Sequence, residues 1–477
     1  MESVAEAMAR LTALATSGTV STLTAAFVEA GFELALVGGP VRDAFLGRDL
    51  TDLDFATNAT PDEILRVVAP ISATTWDIGR DFGTIGALVG GERVEITTYR
   101  SDEYDRETRK PLVAFGTSIE DDLSRRDFTV NAMALALPSL TLVDPSGGFD
   151  DLVARRLRTP GTPEKSFADD PLRMMRAARF VAQLNFVLAD EVVTAMTALA
   201  DSISMISAER VRDEFVKMMN AADPVPGIRT LVDTGILDLV LPEIPVLVRE
   251  HDEHGRHKDV YEHSLMVLTK SIALEKERFP GSPPDTIGRI AALLHDIGKP
   301  ATRSFDNAKV VTFYGHDVVG ARLAKKRLTA LRFDNETITR VCNLIRLHLR
   351  FFGYSEGAWT DSAVRRYVRD AGEELDRLHI LVRSDVTTRN DRKLATMHSA
   401  YSDLENRIAE IREREEIDAI RPDLDGDDIM RILDLKPGRG VGEARNFLME
   451  LRLDDGPLGP EEAERRLREW AAGRELS

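Results

Sequence analysis

Residues 36–57, LVGGPVRDAFLGRDLTDLDFAT, constrain the fold more than any other stretch of this chain. An apolar run stops at Gly38-Gly39, a helix-like PVRDAFL follows, and a second extended run carries Asp52-Leu53-Asp54. Side chains alternate along a strand, so Asp52 and Asp54 share one face while Leu53 points into the core. Two adjacent carboxylates repel each other unless a cation lies between them, and hard oxygen ligands without histidine suit Mg²⁺. Glycine at the strand end lets backbone approach a ligand closely. A helix starting near Pro40 aims its free N–H groups at an anion, and Arg42 adds positive charge in the first turn. Together these describe a site for a magnesium-bound phosphate ester, most simply a nucleoside triphosphate. Taken singly, each part has a plainer reading: a glycine pair as a turn, D-x-D as a strand edge, and Glu95 in VEIT as an exposed strand residue or a third carboxylate.

The texture of the chain changes along its length. Residues 4–30 read as one helix closed by Gly31, and about 33–143 alternate short apolar runs such as ELALV, TIGALV and VEITTY with glycine and charged turns. From about 150 to 400 the pattern is helical, broken at Pro160–Pro163, Pro224–Pro226 and Ser282–Pro284. Residues 401–420, rich in Glu and Arg, predict an exposed joining helix before a small final region. A chain of 477 residues exceeds one hydrophobic core, so an α+β protein of several domains is expected.

The net charge of −18 argues against general affinity for nucleic acid, whose backbone demands local positive charge. Any such surface must be a patch. One lies at 321–350, where Arg322, Lys325, Lys326, Arg327, Arg332, Arg340, Arg346 and Arg350 face only Asp334 and Glu336. It reads either as a solvated helix face or as a nucleic-acid contact. The single cysteine, Cys342, excludes an intramolecular disulfide. The N-terminus lacks signal-peptide character and no apolar run spans a bilayer, so a cytoplasmic protein without membrane partners is expected.

All nine histidines lie between His251 and His398. The first 250 residues therefore work without imidazole, and the two halves must run different chemistry. In the first half, DPLRMMRAAR (170–179) starts a helix at Asp-Pro and sets Arg173, Arg176 and Arg179 on one gradually drifting face. With no acid inside the run these cations repel one another, and a ligand would relieve that. The plainer reading makes Asp170 a cap and the arginines a solvated face.

Segment 36–57 resembles the signature of the polymerase-β-like nucleotidyltransferases, in the form found in bacterial CCA-adding enzymes and bacterial poly(A) polymerases. GRDFGTIGALV (79–89), VEITTYR (94–100), DDLSRRDFTVNAMAL (121–135) and DDPLRMMRAARF (169–180) extend the likeness in order. The resemblance implies a mixed-sheet nucleotidyltransferase head at 1–150, then all-α domains: a nucleotide-selecting neck at 151–250, an HD metal-binding domain at 251–400 and an RNA-binding tail at 401–477. It implies attack of an RNA 3′-hydroxyl on the α-phosphate of CTP or ATP, with Mg²⁺ on the catalytic pair Asp52 and Asp54. Gly39, Arg42 and Arg126 carry over to triphosphate and nucleotide binding, Asp170 and Arg173 to base reading, and Arg176 and Arg179 to nucleotide binding. Cytosine and adenine each present an amine donor beside a ring-nitrogen acceptor, which a carboxylate and a guanidinium complement; uracil and guanine mismatch both. In the same way VYEHSL (260–265), LLHDIGKPA (293–301) and RSDVTTRN (383–390) resemble the HD phosphohydrolases. That likeness implies His263, His295, Asp296 and Asp385 as ligands of Mn²⁺, Ni²⁺, Co²⁺ or Zn²⁺, with His316 and His348 as further candidates for a second ion.

In the tail, DLDGDD lacks the glutamate of a calcium loop and KPGRGVG lacks the βαβ setting of a dinucleotide fingerprint. The expected protein builds or repairs the 3′-terminal CCA of tRNA from CTP and ATP. Alternatives are a poly(A) polymerase, an enzyme adding only CC or A, or an HD phosphohydrolase whose head merely binds nucleotide.

Overall fold

The computed structural model describes residues 3–50, 53–104, 111–116, 118–249, 260–305, 311–351, 354, 359–386, 390–415, 421–472 and 474. Asp52 lies outside this set. The chain forms two compact units, 1–240 and 241–477.

Among its described residues the first unit has eleven strands: β1 (Leu34–Val37), β2 (Leu53–Thr57), β3 (Ser72–Trp76), β4 (Thr84–Val89), β5 (Glu92–Thr98), β6 (Arg100–Tyr104), β7 (Pro111–Phe115), β8 (Ala134–Leu137) and β9 (Thr141–Val143), then a short parallel pair, β10 (Arg156–Leu157) and β11 (Val187–Leu188). Seven make one mixed sheet in the order β3-β4-β5-β2-β1-β8-β9, while β6 and β7 pair as a separate ribbon. Only β2 and β5 run parallel within that sheet. Gly90 and Gly91, both at positive φ, supply the two-residue turn that joins β4 to β5. Val94, Ile96 and Thr98 of β5 are buried while Arg93 and Glu95, alternating with them, are exposed, so one face packs and the other meets solvent.

Around the sheet lie α1 (Val4–Ala15), α2 (Gly18–Glu29), α3 (Gly39–Leu46), α4 (Pro61–Val68), α5 (Ile119–Ser124) and α6 (Gly148–Val153). The single helix expected over 4–30 is two helices bent by 70°. Ser17 takes an extended ψ of 157° ahead of Gly18, which ends one helix and starts the next. Apolar periodicity continues across the break, which is why it is invisible in the pattern. No single described helix is long and apolar enough to cross a membrane, although this bent pair has the summed apolar length. Beyond the sheet come α7 (Pro163–Asp169), α8 (Leu172–Leu184), α9 (Asp190–Leu199), α10 (Ala208–Met219), α11 (Val225–Asp233) and α12 (Leu237–Val240). Helix α8 buries Met174, Met175, Ala177, Ala178 and Phe180, with α10 and α11 packed against it.

The second unit is helical apart from one two-stranded ribbon among its described residues. Its principal helices are α13 (Val260–Arg278), α14 (Thr286–Leu294), α15 (Lys299–Thr302), α16 (His316–Ala330) and α17 (Asn335–Leu347), then Asp361–Ala371, Leu375–Asp385 and Asp391–Glu415. The exposed helix expected at 401–420 is instead a packed one: Tyr401, Leu404, Ile408 and Ile411 are buried at helical spacing. Its Glu and Arg residues cover the remaining faces and mask that stripe in the composition. The last three helices, Gly426–Leu433, Arg439–Asp455 and Pro460–Ala471, close on a core of Leu424, Ile429, Ile432, Ala444, Leu448, Ala463 and Leu467. There DLDGDD supplies a cap, Asp425 and Asp428 forming a reciprocal capping box.

Candidate active site

Strand β1 ends where Gly38 turns at φ +72° and α3 begins. A Cβ on Gly38 would lie 2.9 Å from Arg126 Nη1, so glycine is what lets that guanidinium close over the backbone. One strand away, β2 sets Asp54 in register with Glu95 of β5. Parallel register places both carboxylates on one face of the sheet.

These groups open into a cleft of about 800 Å³ lined by Gly38, Gly39, Arg42, Asp54, Glu95 and Arg126, and by Asp170, Arg173, Arg176 and Arg179. Every nucleotide-binding residue expected from sequence therefore lines one cavity. Residues that the sequence did not flag line it too: Asp127, Asn131, Phe180, Arg210 and Lys217.

The arginines are not the solitary cations their own helix suggested. Arg176 Nε donates to Asp127 Oδ2 at 2.8 Å, and Arg179 Nε lies 3.2 Å from Glu214 Oε2 on α10. Arg173 donates to Ser166 Oγ at 2.8 Å and to the Arg125 carbonyl at 2.7 Å. Asp127 Oδ1 also accepts from the Phe128 amide at 2.8 Å and from Asn131 Nδ2 at 3.0 Å, while Asn131 Oδ1 accepts from Arg42 Nη1 at 2.6 Å. Burial pushes the Asp127 carboxyl upward, but Arg176, Asn131 and the Phe128 amide outweigh it and hold it below the usual carboxylate range. Buried Asp122 of α5 holds Arg125 and Arg126 at 2.7 and 3.2 Å. The Phe180 ring sits among three guanidiniums, with Arg42, Arg176 and Arg179 at 5.5, 5.6 and 4.4 Å from its centroid. Burial and Arg176 lower the Arg179 guanidinium to about 10. Asp170 accepts from the Leu172 amide at 3.2 Å and from Arg210 at 3.1 Å, so it braces the turn that enters α8 while lining the cleft.

A second constellation lies in the helical unit. His263, His295 and Asp385 form one triad of converging donor atoms, and Asp296, His316 and His348 another. His295, His316 and His348 each direct Nδ1 at a backbone carbonyl, of Ala292, Phe313 and Ile345, at 2.9, 2.8 and 2.6 Å. A carbonyl only accepts, so Nδ1 carries the proton and each Nε2 lone pair points inward. His316 and His348 then face each other Nε2 to Nε2 at 3.3 Å, a pair that a shared proton or a bound cation would bridge. Asp296 spans the two sets, Oδ2 lying 3.2 Å from His295 Nε2 and Oδ1 3.3 Å from His316 Nε2. Lys299 Nζ is also 2.8 Å from Asp296. Two groups that could each hold a metal ion converge here, and they contain all six residues expected from sequence, His316 and His348 included. The basic patch at 321–350 is partly neutralised, since Arg327, Arg340 and Arg350 meet Glu243, Glu374 and Asp370.

The poly A polymerase head domain family matches residues 34–158, the "probable RNA and SrmB- binding site of polymerase A" matches 185–247, and the HD domain matches 260–390. The A-adding tRNA nucleotidyltransferase of Deinococcus radiodurans is 34% identical over 92% of this chain and 95% of its own length. The chain belongs to the tRNA nucleotidyltransferase family. The CCA-adding enzyme of Levilactobacillus brevis is 41% identical, but over 44% of this chain and 51% of that relative. Among solved structures, the Bacillus stearothermophilus CCA-adding enzyme in complex with CTP aligns over 95% of this chain and 97% of its own, with TM-score 0.66 and 24% identity. The Thermotoga maritima enzyme complexed with tRNA aligns over 97% and 98%, with TM-score 0.60 and 18% identity. Both share the fold of this nucleotidyltransferase.

Proposed function

We propose that this tRNA nucleotidyltransferase adds or repairs the 3′-terminal CCA of tRNA from CTP and ATP, without a nucleic-acid template. The observation that carries this reading is the single cleft uniting Asp54 with Gly39, Arg42, Arg126, Asp170, Arg173, Arg176 and Arg179. In the reaction the RNA 3′-hydroxyl loses its proton, its oxygen bonds to the α-phosphorus, and the bond to the bridging oxygen breaks to release pyrophosphate. Gly39 and the α3 N-terminus, with Arg42 and Arg126, receive the triphosphate. Arg176 and Arg179, held by Asp127 and Glu214, add fixed positive charge where the leaving group gains negative charge. Asp170 and Arg173 read the base edge, accepting from the exocyclic amine and donating to the ring nitrogen. Asp52 and Asp54 would hold Mg²⁺, which supplies charge neutralisation and hydroxyl activation when bound.

A narrower reading, addition of the terminal A alone, is favoured by the near full-length match to an A-adding relative. Two acceptors separate them: tRNA lacking its last three nucleotides, and tRNA ending in CC, each offered one labelled nucleotide at a time. Incorporation of C into the first acceptor supports the full reaction. A alone, and only on the CC end, supports the narrower one. Long A tails, or incorporation of U or G as readily as C, would defeat the proposal.

For the second unit we infer a metal-dependent phosphohydrolase site. His263, His295, Asp296 and Asp385 would hold a transition ion such as Mn²⁺, Ni²⁺, Co²⁺ or Zn²⁺, with His316 and His348 completing a second position. Such ions activate water for phosphate ester cleavage. The inward Nε2 lone pairs carry this reading. Chelation followed by single-ion reconstitution, scored as phosphate release from simple esters, tests it.

A further inference from the structure

The sheet register aligns Trp76 of β3 with Gly86 of β4, Gly86 with Glu95 of β5, and Glu95 with Asp54 of β2. Residues in one such row share a face, so Trp76, Glu95 and Asp54 rise from the same surface with Gly86 as a gap between them. A Cβ added to Gly86 would fall on Cε2 and Nε1 of the indole. The ring therefore lies across β4, reaching from the sheet edge toward the carboxylates. The neighbouring row sets Thr74, Leu88 and Arg93 on the same face. Together these residues line a second cleft of about 880 Å³, which shares Asp54 and Glu95, and no other described residue, with the arginine-lined one.

Two clefts meeting at one carboxylate pair suit a displacement in which the attacking and leaving oxygens stand in line on opposite sides of phosphorus. The arginine-rich side receives the leaving pyrophosphate, so the attacking hydroxyl enters from the other. That side offers a flat aromatic face and Arg93, enough for one base and one phosphodiester. We propose that Trp76 is the stacking platform for the 3′-terminal base of the acceptor RNA, with Arg93 facing its phosphate. The assignment rests on the nucleotidyl-transfer reading above.

An aromatic ring over a cross-strand glycine also stabilises an edge strand, so the test must separate binding from packing. In the full-length protein, Trp76→Ala should raise KM for tRNA about tenfold with KM for the nucleotide unchanged, and Trp76→Phe should restore most of the affinity, as for a lost and regained stacking contact. In a Trp359→Phe, Trp470→Phe background, tRNA should quench the remaining Trp76 emission and CTP alone should not. An unchanged KM for tRNA, even with lowered thermal stability, overturns the proposal, as does a rise confined to the nucleotide KM. Absence of quenching by tRNA overturns it independently of catalysis. If the wild-type protein incorporates no nucleotide, the transfer reading fails, and the quench still reports whether RNA reaches Trp76.

Discussion

Replacing Asp127 by Asn tests whether the arginines of the cleft are held in place by one buried carboxylate. Asp127 is 7% exposed and accepts four hydrogen bonds, two from Arg176 and one each from the Phe128 amide and Asn131. An amide of the same shape loses the charge and turns one acceptor into a donor that must oppose either Arg176 or the Phe128 amide. Breaking a buried ion pair from one side costs about 3–5 kcal/mol. Arg176 keeps 32% of its side-chain surface in solvent and has Glu214 at 3.9 Å, so water and that second acid recover part of the loss. About 2 kcal/mol of stability is the discounted expectation. Because Asn131 passes the same constraint to Arg42, kcat/KM for the nucleotide should fall about 10- to 100-fold. Urea unfolding followed by Trp76 emission in the Trp359→Phe, Trp470→Phe background gives the first number, since Trp76 is the one tryptophan among residues 1–240, and nucleotide titration at saturating tRNA gives the second. Lost stability with unchanged nucleotide kinetics would show that the network supports the fold and not the ligand. The pH dependence has a fixed sign. A carboxylate held below its ordinary pKa of 3.8 contributes stability above that value, and the contribution disappears as pH falls through the lower folded value. The wild type should therefore lose this increment only below about pH 4, and the variant should lack that transition.

Asp54→Ala should abolish incorporation by a factor on the order of 10³, whereas Glu95→Gln should cost about tenfold if Glu95 only shares the cation. Equal losses in single-turnover assays would make Glu95 a full partner. Gly38→Ala forces a methyl onto a positive φ and against Arg126, costing about 1–2 kcal/mol in backbone strain and raising the nucleotide KM; an unchanged KM would free Arg126 from any role there. His295→Ala should remove bound metal and phosphatase activity while leaving CCA addition intact, measured by elemental analysis beside incorporation; loss of both would couple the two sites.

What the sequence revealed follows from range. The β1–Gly38–α3–β2 unit was legible because its parts are consecutive, and alternation along a strand fixes where Asp54 points without knowledge of the rest. HD spacing was legible because an adjacent His-Asp pair is itself a local mark. Partners were hidden where they come from far along the chain: Asp127 reaches Arg176 across 49 residues and Glu214 reaches Arg179 across 35. Reading α8 alone gave a row of repelling cations, when the fold supplies an acid to two of the three. His316 and His348 were candidates from sequence, but they stand 32 residues apart, and only the packing of α16 on α17 shows their Nε2 atoms meeting. Trp76 was silent for a similar reason, since its neighbour across the sheet is a glycine ten residues on.

An acidic chain that must act on polyanions raises a problem of selectivity, and the pairing of the cleft arginines answers it. Free guanidiniums on a surface attract any phosphate, with strong dependence on salt. Here Asp122, Asp127 and Glu214 each occupy part of an arginine's donor fork and leave the rest aimed into one cavity. The field outside is reduced while the donors inside stay oriented, which favours a compact triphosphate seated deep over an RNA duplex lying across the surface. Orientation then costs nothing when nucleotide binds, because folding has already set it. The base reading proposed for Asp170 and Arg173 rests on the same anchoring: the Leu172 amide and Arg210 hold the carboxylate, and Ser166 and the Arg125 carbonyl hold the guanidinium, so turning either toward the edge of uracil or guanine would break those bonds.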